Sequence, residues 1–228
     1  MQTLAERFFT PEEQQKITRT VQRVEEQTTG EIVPMVVSAS HTYPEAELTG
    51  ALTLAGPLAL AAAFATASLL WWQGEVLWLF FGYGALFFLL ARLLVRHSPS
   101  LLRLFLRPER VAAEVERGAF THFFAAGLQA TRDATGVLIY ISVLEREVWI
   151  LGDRGINEQL PPQTWQESVS RLTAGIREQR QAAALCTTIE EIGRLLRTHF
   201  PPKSDDRNEL SNLLIEQGTG SRHTLIVK

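Results

Sequence analysis

The sequence predicts an α/β domain interrupted by a helical hairpin of two membrane spans, on three observations. Residues 48–95 hold two apolar runs separated only by Gln73-Gly74-Glu75. The flanks carry short β-type runs, EIVPMVVS from Glu31, GVLIYISV from Gly136 and EVWIL from Glu147. Around these runs lie segments with apolar residues at helical spacing. Because a two-span hairpin returns the chain to the side it left, the flanking halves share a compartment and can fold together.

Taken in order, Thr10-Pro11-Glu12-Glu13 supplies an N-cap threonine, a proline at the first helical position and a glutamate three residues after the cap. This capping box opens a helix to about Gln27, with Ile17, Val21 and Val24 as its apolar stripe. Thr28-Thr29-Gly30 stops it, and residues 31–38 read as a strand whose Pro34 favours a sheet edge or a bulge. Residues 1–47 therefore form the first part of the α/β domain. Residues 48–74 hold no charge until the turn, and a span needs roughly 20 residues. The second run, residues 76–95, spans if Arg92 snorkels its guanidinium to the headgroups.

Residues 96–107 read as a basic linker, with SLLRLFLR as a short interfacial helix. Residues 108–200 complete the domain. A helix runs from Pro108 to about Thr131, a β-hairpin follows through Leu144-Glu145-Arg146, and two helices close the segment. The first of that pair carries Trp165, Val169, Leu172 and Ile176, and the second Leu185, Ile189, Ile192, Leu195 and Leu196. Residues 201–228 read as a polar tail in which only the final HTLIVK has strand character.

With 22 Lys plus Arg against 25 Asp plus Glu, no basic excess points to nucleic acid. Without the hairpin roughly 180 of the 228 residues remain, enough for one domain with a sizeable core. The opening MQTLAERFFTPEEQQ has no apolar core of a signal peptide, so insertion is expected from the hairpin itself. Arg92, Arg96, Arg103, Arg107 and Arg110 follow the second span while the turn has no basic residue. The positive-inside rule then places both termini and the α/β domain in the cytoplasm, at the bacterial inner membrane. The single cysteine, Cys186, lies among apolar helix residues and reads as a core side chain.

Three segments in this order resemble the TPM domain: TTGEIVPMVVS after an initial helix, TRDATGVLIYISVLEREVWILGDRGI, and a helix pair ending in THFPP followed by NEL. More closely they resemble the bacterial membrane-protein branch in which a two-span hairpin interrupts that domain. The resemblance covers residues 8–210 and implies an α/β/α sandwich, a small mixed sheet with helices on both faces. It also implies a LemA-type membrane-protein neighbour as partner. Relatives are associated with photosystem repair, receptor accessory roles, acid phosphatase activity and divalent-cation binding. Where many TPM domains have a G-x-G turn after the third strand, this chain reads Gly152-Asp153-Arg154-Gly155. Metal or phosphatase residues of other branches therefore transfer poorly.

Asp153, between glycines at a strand end, is the leading polar candidate, since functional side chains gather on such loops. Its structural alternative is a cap on the turn or helix that follows. Glu31 and Asp133 lie in other loops where strands begin, and Glu158 follows closely. If these oxygens converged they would suit a divalent cation such as calcium, which takes six to eight oxygen ligands at about 2.3 to 2.6 Å. No nucleophile elbow, Walker loop or zinc spacing is present, and the five histidines are scattered, His122 reading as a packed residue. Arg146 and Arg154 are either anion ligands or partners of nearby carboxylates. Gly50, Ala55, Gly56, Ala59, Gly82 and Gly84 give the hairpin small-residue surfaces for close helix approach. The expected function is a membrane-anchored, non-catalytic module that binds or stabilises membrane-protein partners. The rival is a metal-dependent, acid-phosphatase-like hydrolase built on the strand-end carboxylates.

Overall fold

A computed structural model describes residues 2–70, 76–160, 163–203, 210–217 and 224–227. It divides into two units, residues 1–41 with 112–228, and residues 42–111. The expected Gln73-Gly74-Glu75 turn lies outside the described residues.

In the first unit, α1 (Pro11–Glu25) opens on the expected capping box, with Thr10 accepting from the Glu13 N–H and the Glu13 carboxylate accepting from the Thr10 N–H. Then come β1 (Glu31–Val37), the body of α5 (Pro108–Ala125), β2 (Gly136–Ser142) and β3 (Glu147–Gly152). Short α6 (Arg154–Gln159), α7 (Thr164–Arg177), α8 (Gln181–His199), β4 (Leu214–Gln217) and β5 (Thr224–Val227) complete it. The sheet is mixed and five-stranded in the order β3-β2-β1-β4-β5. β1 runs parallel to β2 and β4, and the two outer pairs are antiparallel.

Three details differ from the sequence expectation. α5 ends at Ala125 rather than near Thr131, because Gly127 takes φ 77°, a left-handed conformation open to glycine, and a 3-10 turn follows at Leu128–Ala130. Residues 201–228 are no simple tail, since β4 inserts beside β1 and β5 pairs outside it. Pro34 therefore sits in an interior strand, between β2 and β4. The reason lies in which neighbour each backbone group faces. Glu31 donates its N–H to Thr135, so odd residues of β1 face β2 and even ones face β4. β4 pairs only at Met35 and Val36, so Pro34 lacks an N–H where no strand requires one. Ile32, on the same side, donates instead to the Glu25 carboxylate at 3.0 Å.

Side chains alternate across β2. Val137, Ile139 and Ile141 join Ile17, Val21, Ile32, Val36, Leu172, Leu185, Ile189 and Leu196 in one core under α1, α7 and α8. Each such side chain contributes about 1.5–3 kcal/mol of transfer free energy. The helices meet closely at Gly193, where an added methyl would strike Val24 of α1. Cys186 is buried here, as read from sequence, accepting from the Thr20 hydroxyl at 3.6 Å. Leu138, Tyr140 and Ser142 point to the opposite face, covered by α5, on which a Cβ at Gly118 would lie 2.7 Å from the Tyr140 hydroxyl.

The second unit holds α2 (Pro44–Leu70) and α3 (Val76–His97), packed antiparallel as a hairpin, and short α4 (Pro99–Leu104). At 1.5 Å per residue α2 is roughly 40 Å long and α3 roughly 33 Å, each enough to cross a hydrocarbon core of about 30 Å. Ala51, Ala55, Ala59, Ala63 and Ala67 are buried at every fourth residue of α2. Gly50 packs on Phe105 and Val95, whereas Gly56, Gly82 and Gly84 face open space. The small residues noted in the sequence thus divide between packing and exterior. Thr66 and Tyr83 hydroxyls hydrogen-bond across the helices at 2.9 Å. Arg92 lies 3.9 Å from Glu47, and Arg110 3.3 Å from Glu45, at one end of the hairpin.

Candidate functional site

The register Glu31↔Gly136 and Val137↔Gly152 sets the start of β1, the start of β2 and the end of β3 at one end of the sheet. That brings together the loops carrying the acidic residues singled out from sequence. Gly155 donates its N–H to the Ala134 carbonyl at 3.0 Å, so the Asp133 loop and the Asp153 turn touch. A Cβ at Gly155 would lie 2.7 Å from that carbonyl, which is why glycine is required there. The carboxylates themselves have separate tasks. Asp153 is the N-cap of α6 and accepts from the Arg154 N–H at 2.7 Å. Asp133 pairs with Lys203 at 2.7 Å, Glu158 pairs with Arg154 at 2.9 Å, and Glu31 is buried. Among the described residues no three His, Cys, Asp or Glu side chains gather as a metal site would require.

At the other end of the sheet lies a buried polar cluster. Ser142 donates to Glu145 Oε2 at 2.5 Å, and Glu145 Oε1 accepts from the Ser40 N–H at 2.8 Å. Ser40 Oγ donates to Ser142 Oγ at 3.0 Å and lies 3.1 Å from the Tyr140 hydroxyl. The His122 ring stacks on Tyr140 at 5.6 Å, in agreement with its reading as a packed histidine. Burial pushes the Tyr140 phenol well above the ordinary tyrosine range, the Ser40 bond opposes that shift, and Glu145 and Glu216 add to it. The cluster ties β1's end to the β2–β3 turn. A neutral, hydrogen-bonded phenol of this kind rigidifies the fold and supplies no nucleophile at neutral pH.

A third feature is a groove of about 820 Å3 along β3, an edge strand of the sheet. Phe120, Phe123 and Phe124 of α5 form one wall, and Trp165, Gln166 and Val169 of α7 the other. Val148, Trp149, Ile150 and Leu151 form the floor. Phe124 is 59% exposed although it belongs to a folded helix. Trp165 is 3% exposed, and its indole N–H has no hydrogen-bond partner among the described residues. The volume falls in the range of binding pockets. The sequence places Trp165 on the apolar stripe of its helix, where it is indeed buried, and gives Phe123 and Phe124 only as apolar positions of theirs. The only local signal of a second apolar face is Phe120 and Phe124 at i, i+4 on α5, distinct from Val115 and Ala119.

Among known proteins, residues 107–195 match a family model described as the TPM domain. No curated protein matches the chain. The solved NMR structure of BA42 protein from the psychrophilic bacterium Bizionia argentinensis is similar in fold. It has 20% sequence identity and a TM-score of 0.54, covering 91% of this chain and 94% of that one. At that identity the likeness speaks for the fold, and it agrees with the mixed sheet and its helices. The match at residues 107–195 is to the family that the ordered segments of the chain resemble, and the fold agrees with it.

Proposed function

We propose that this chain is a membrane-tethered TPM module that binds or stabilises a membrane-protein partner and performs no chemistry of its own. One observation carries the reading. The hairpin buries alanines between its helices and turns its large apolar side chains outward, with Leu69 80% and Trp78 73% exposed. In water that arrangement would leave a far larger apolar patch than soluble proteins carry, whereas in hydrocarbon it costs nothing and close helix approach is rewarded. The charges Glu45, Glu47, Arg92 and Arg110 cluster at one end, as a headgroup boundary requires. On this reading the hairpin lies in the bacterial inner membrane, and the termini and α/β domain are cytoplasmic.

The test is a Gly74→Cys variant in a Cys186→Ala background. Intact cells should label it with a membrane-impermeant maleimide, and labelling of a terminal cysteine instead would reverse the orientation. A LemA-type membrane protein, the partner that the family resemblance implies, is the first to co-purify in mild detergent. If carbonate washing releases the chain from membranes, the anchoring reading fails.

A further inference from the structure

We infer that the β3 groove binds a short extended segment of a partner polypeptide, which adds to the sheet as a strand outside β3. The segment carries apolar side chains in its middle and basic residues at its ends. This deepens the partner-binding half of the proposed function and rests on that half alone, not on membrane insertion.

The backbone supplies the first argument. Asp153 donates its N–H to Gly136, so the ladder between β2 and β3 uses Glu147, Trp149, Leu151 and Asp153. Val148, Ile150 and Gly152 therefore aim their N–H and C=O groups away from β2, into the groove. The Gly152 carbonyl is already capped by the Asn157 side chain at 2.7 Å, which ends the available edge. Among the described residues Val148 and Ile150 remain, two donors and two acceptors at the two-residue spacing that an added strand matches. An unpaired edge of this kind is a template for another chain unless it is covered or charged.

The walls say what kind of occupant fits. α5 and α7 rise on the two faces beside β3. A second copy would bring its own helices to the same place, whereas a single strand lies between the walls. Side chains of such a strand point alternately to the two faces, one set toward Phe120 and Phe124, the other toward Trp165 and Val169. The Trp165 indole N–H, a donor without an acceptor among the described residues, faces the same space.

Charge defines the ends. Glu147 begins the edge, and Asp153 ends it with Oδ2 unbonded among the described residues. Arg154, which follows Asp153 and also lines the groove, is held by Glu158. Lysine or arginine near each end of the guest strand would meet these carboxylates.

The experiment pans a phage-displayed library of random short peptides against the full chain in nanodiscs. Selected peptides should alternate apolar positions between basic ends. N-methylation of alternate peptide amides should weaken binding about tenfold or more in one register and leave it unchanged in the other, since only one set of amides faces Val148 and Ile150. Phe124→Glu, at an exposed position that leaves the fold intact, should weaken the same peptides about tenfold. Peptides that ignore both the methylation register and Phe124→Glu would overturn the groove assignment while leaving partner binding standing. A library that yields no binder would count against both. A lipid occupant is the remaining alternative: with Trp71, Trp72 and Trp78 changed to Phe, strong quenching of Trp149 and Trp165 by brominated lipid would overturn the proposal.

Discussion

The two units of this chain solve packing in opposite ways. In the α/β unit the interior is made of large side chains, Ile139, Leu172, Leu185 and Trp165, and helix crossings are relieved by single glycines such as Gly193. In the hairpin the interior is a stripe of alanines, and leucine, phenylalanine and tryptophan lie outside. Burial of apolar area drives the first arrangement. In the hydrocarbon setting proposed above the second has no such drive between helices and depends on close approach and, among the described residues, on the hydroxyl pair of Thr66 with Tyr83. Apolar content alone therefore says little about which residues hold a unit together. The size of the residue on the contact face says more.

The largest test of that contrast compares one substitution in both units. Leu185→Ala should destabilise the α/β unit by about 2–5 kcal/mol, whereas Leu89→Ala, 64% exposed on α3, should change stability in detergent by under about 0.5 kcal/mol. Chemical denaturation followed by near-ultraviolet circular dichroism measures both, and a large loss at Leu89 would show that the hairpin's outer face is a packed one. The mirror substitution enlarges alanine. Ala59→Leu, at a fully buried position facing α3, should cost about 1–3 kcal/mol, and Ala183→Leu, exposed on α8, close to nothing. Equal effects from the two would erase the distinction.

A smaller effect sharpens the account of the α/β unit. Because the folded protein holds Tyr140 protonated past the ordinary tyrosine pKa of about 10, the native state binds more protons than the unfolded chain above that pH. The Tyr140 contribution is thus fully present below pH 10 and is lost as pH rises beyond it, at up to about 1.4 kcal/mol per pH unit. Tyr140→Phe should flatten the alkaline limb of the stability curve, and an unchanged slope would mean that the phenol is not insulated as its burial requires.

The smallest effect concerns the strand-end turn. Asp153→Leu should cost about 1 kcal/mol, the value of a lost N-cap, and Asp153→Asn should cost a few tenths. Thermal melts with and without millimolar calcium should coincide for both variants and the wild type. If calcium stabilises the wild type and Asp153→Asn removes that gain, the carboxylate binds metal and the hydrolase reading moves ahead.

Much of the fold was legible because its signals are local. The capping box at Thr10 and Glu13 satisfies helix-end donors within four residues, so it reads the same in isolation as in the fold. The two long apolar helices are legible by length, and β1, β2 and β3 by runs of branched apolar residues. The candidate site was less legible. Asp153 was found, with its cap, but Glu145 was read only as a turn residue. Its carboxylate receives Ser40, about a hundred positions away, and such pairs are made by the sheet and not by spacing. The groove is not legible at all, because helical periodicity shows that a face is apolar without showing whether another element covers it.

Local sequence was enough for the capping box of α1, the two long apolar helices and the central strands, since each depends on neighbours within a few residues. The tertiary structure alone decided that LIEQ at β4 enters beside β1, that Pro34 is tolerated in an interior strand, and that β3 is left as an open edge between two helices. Those outcomes depend on which backbone groups remain unpaired once all the strands have assembled. That is a property of the whole sheet, and no window of the sequence contains it.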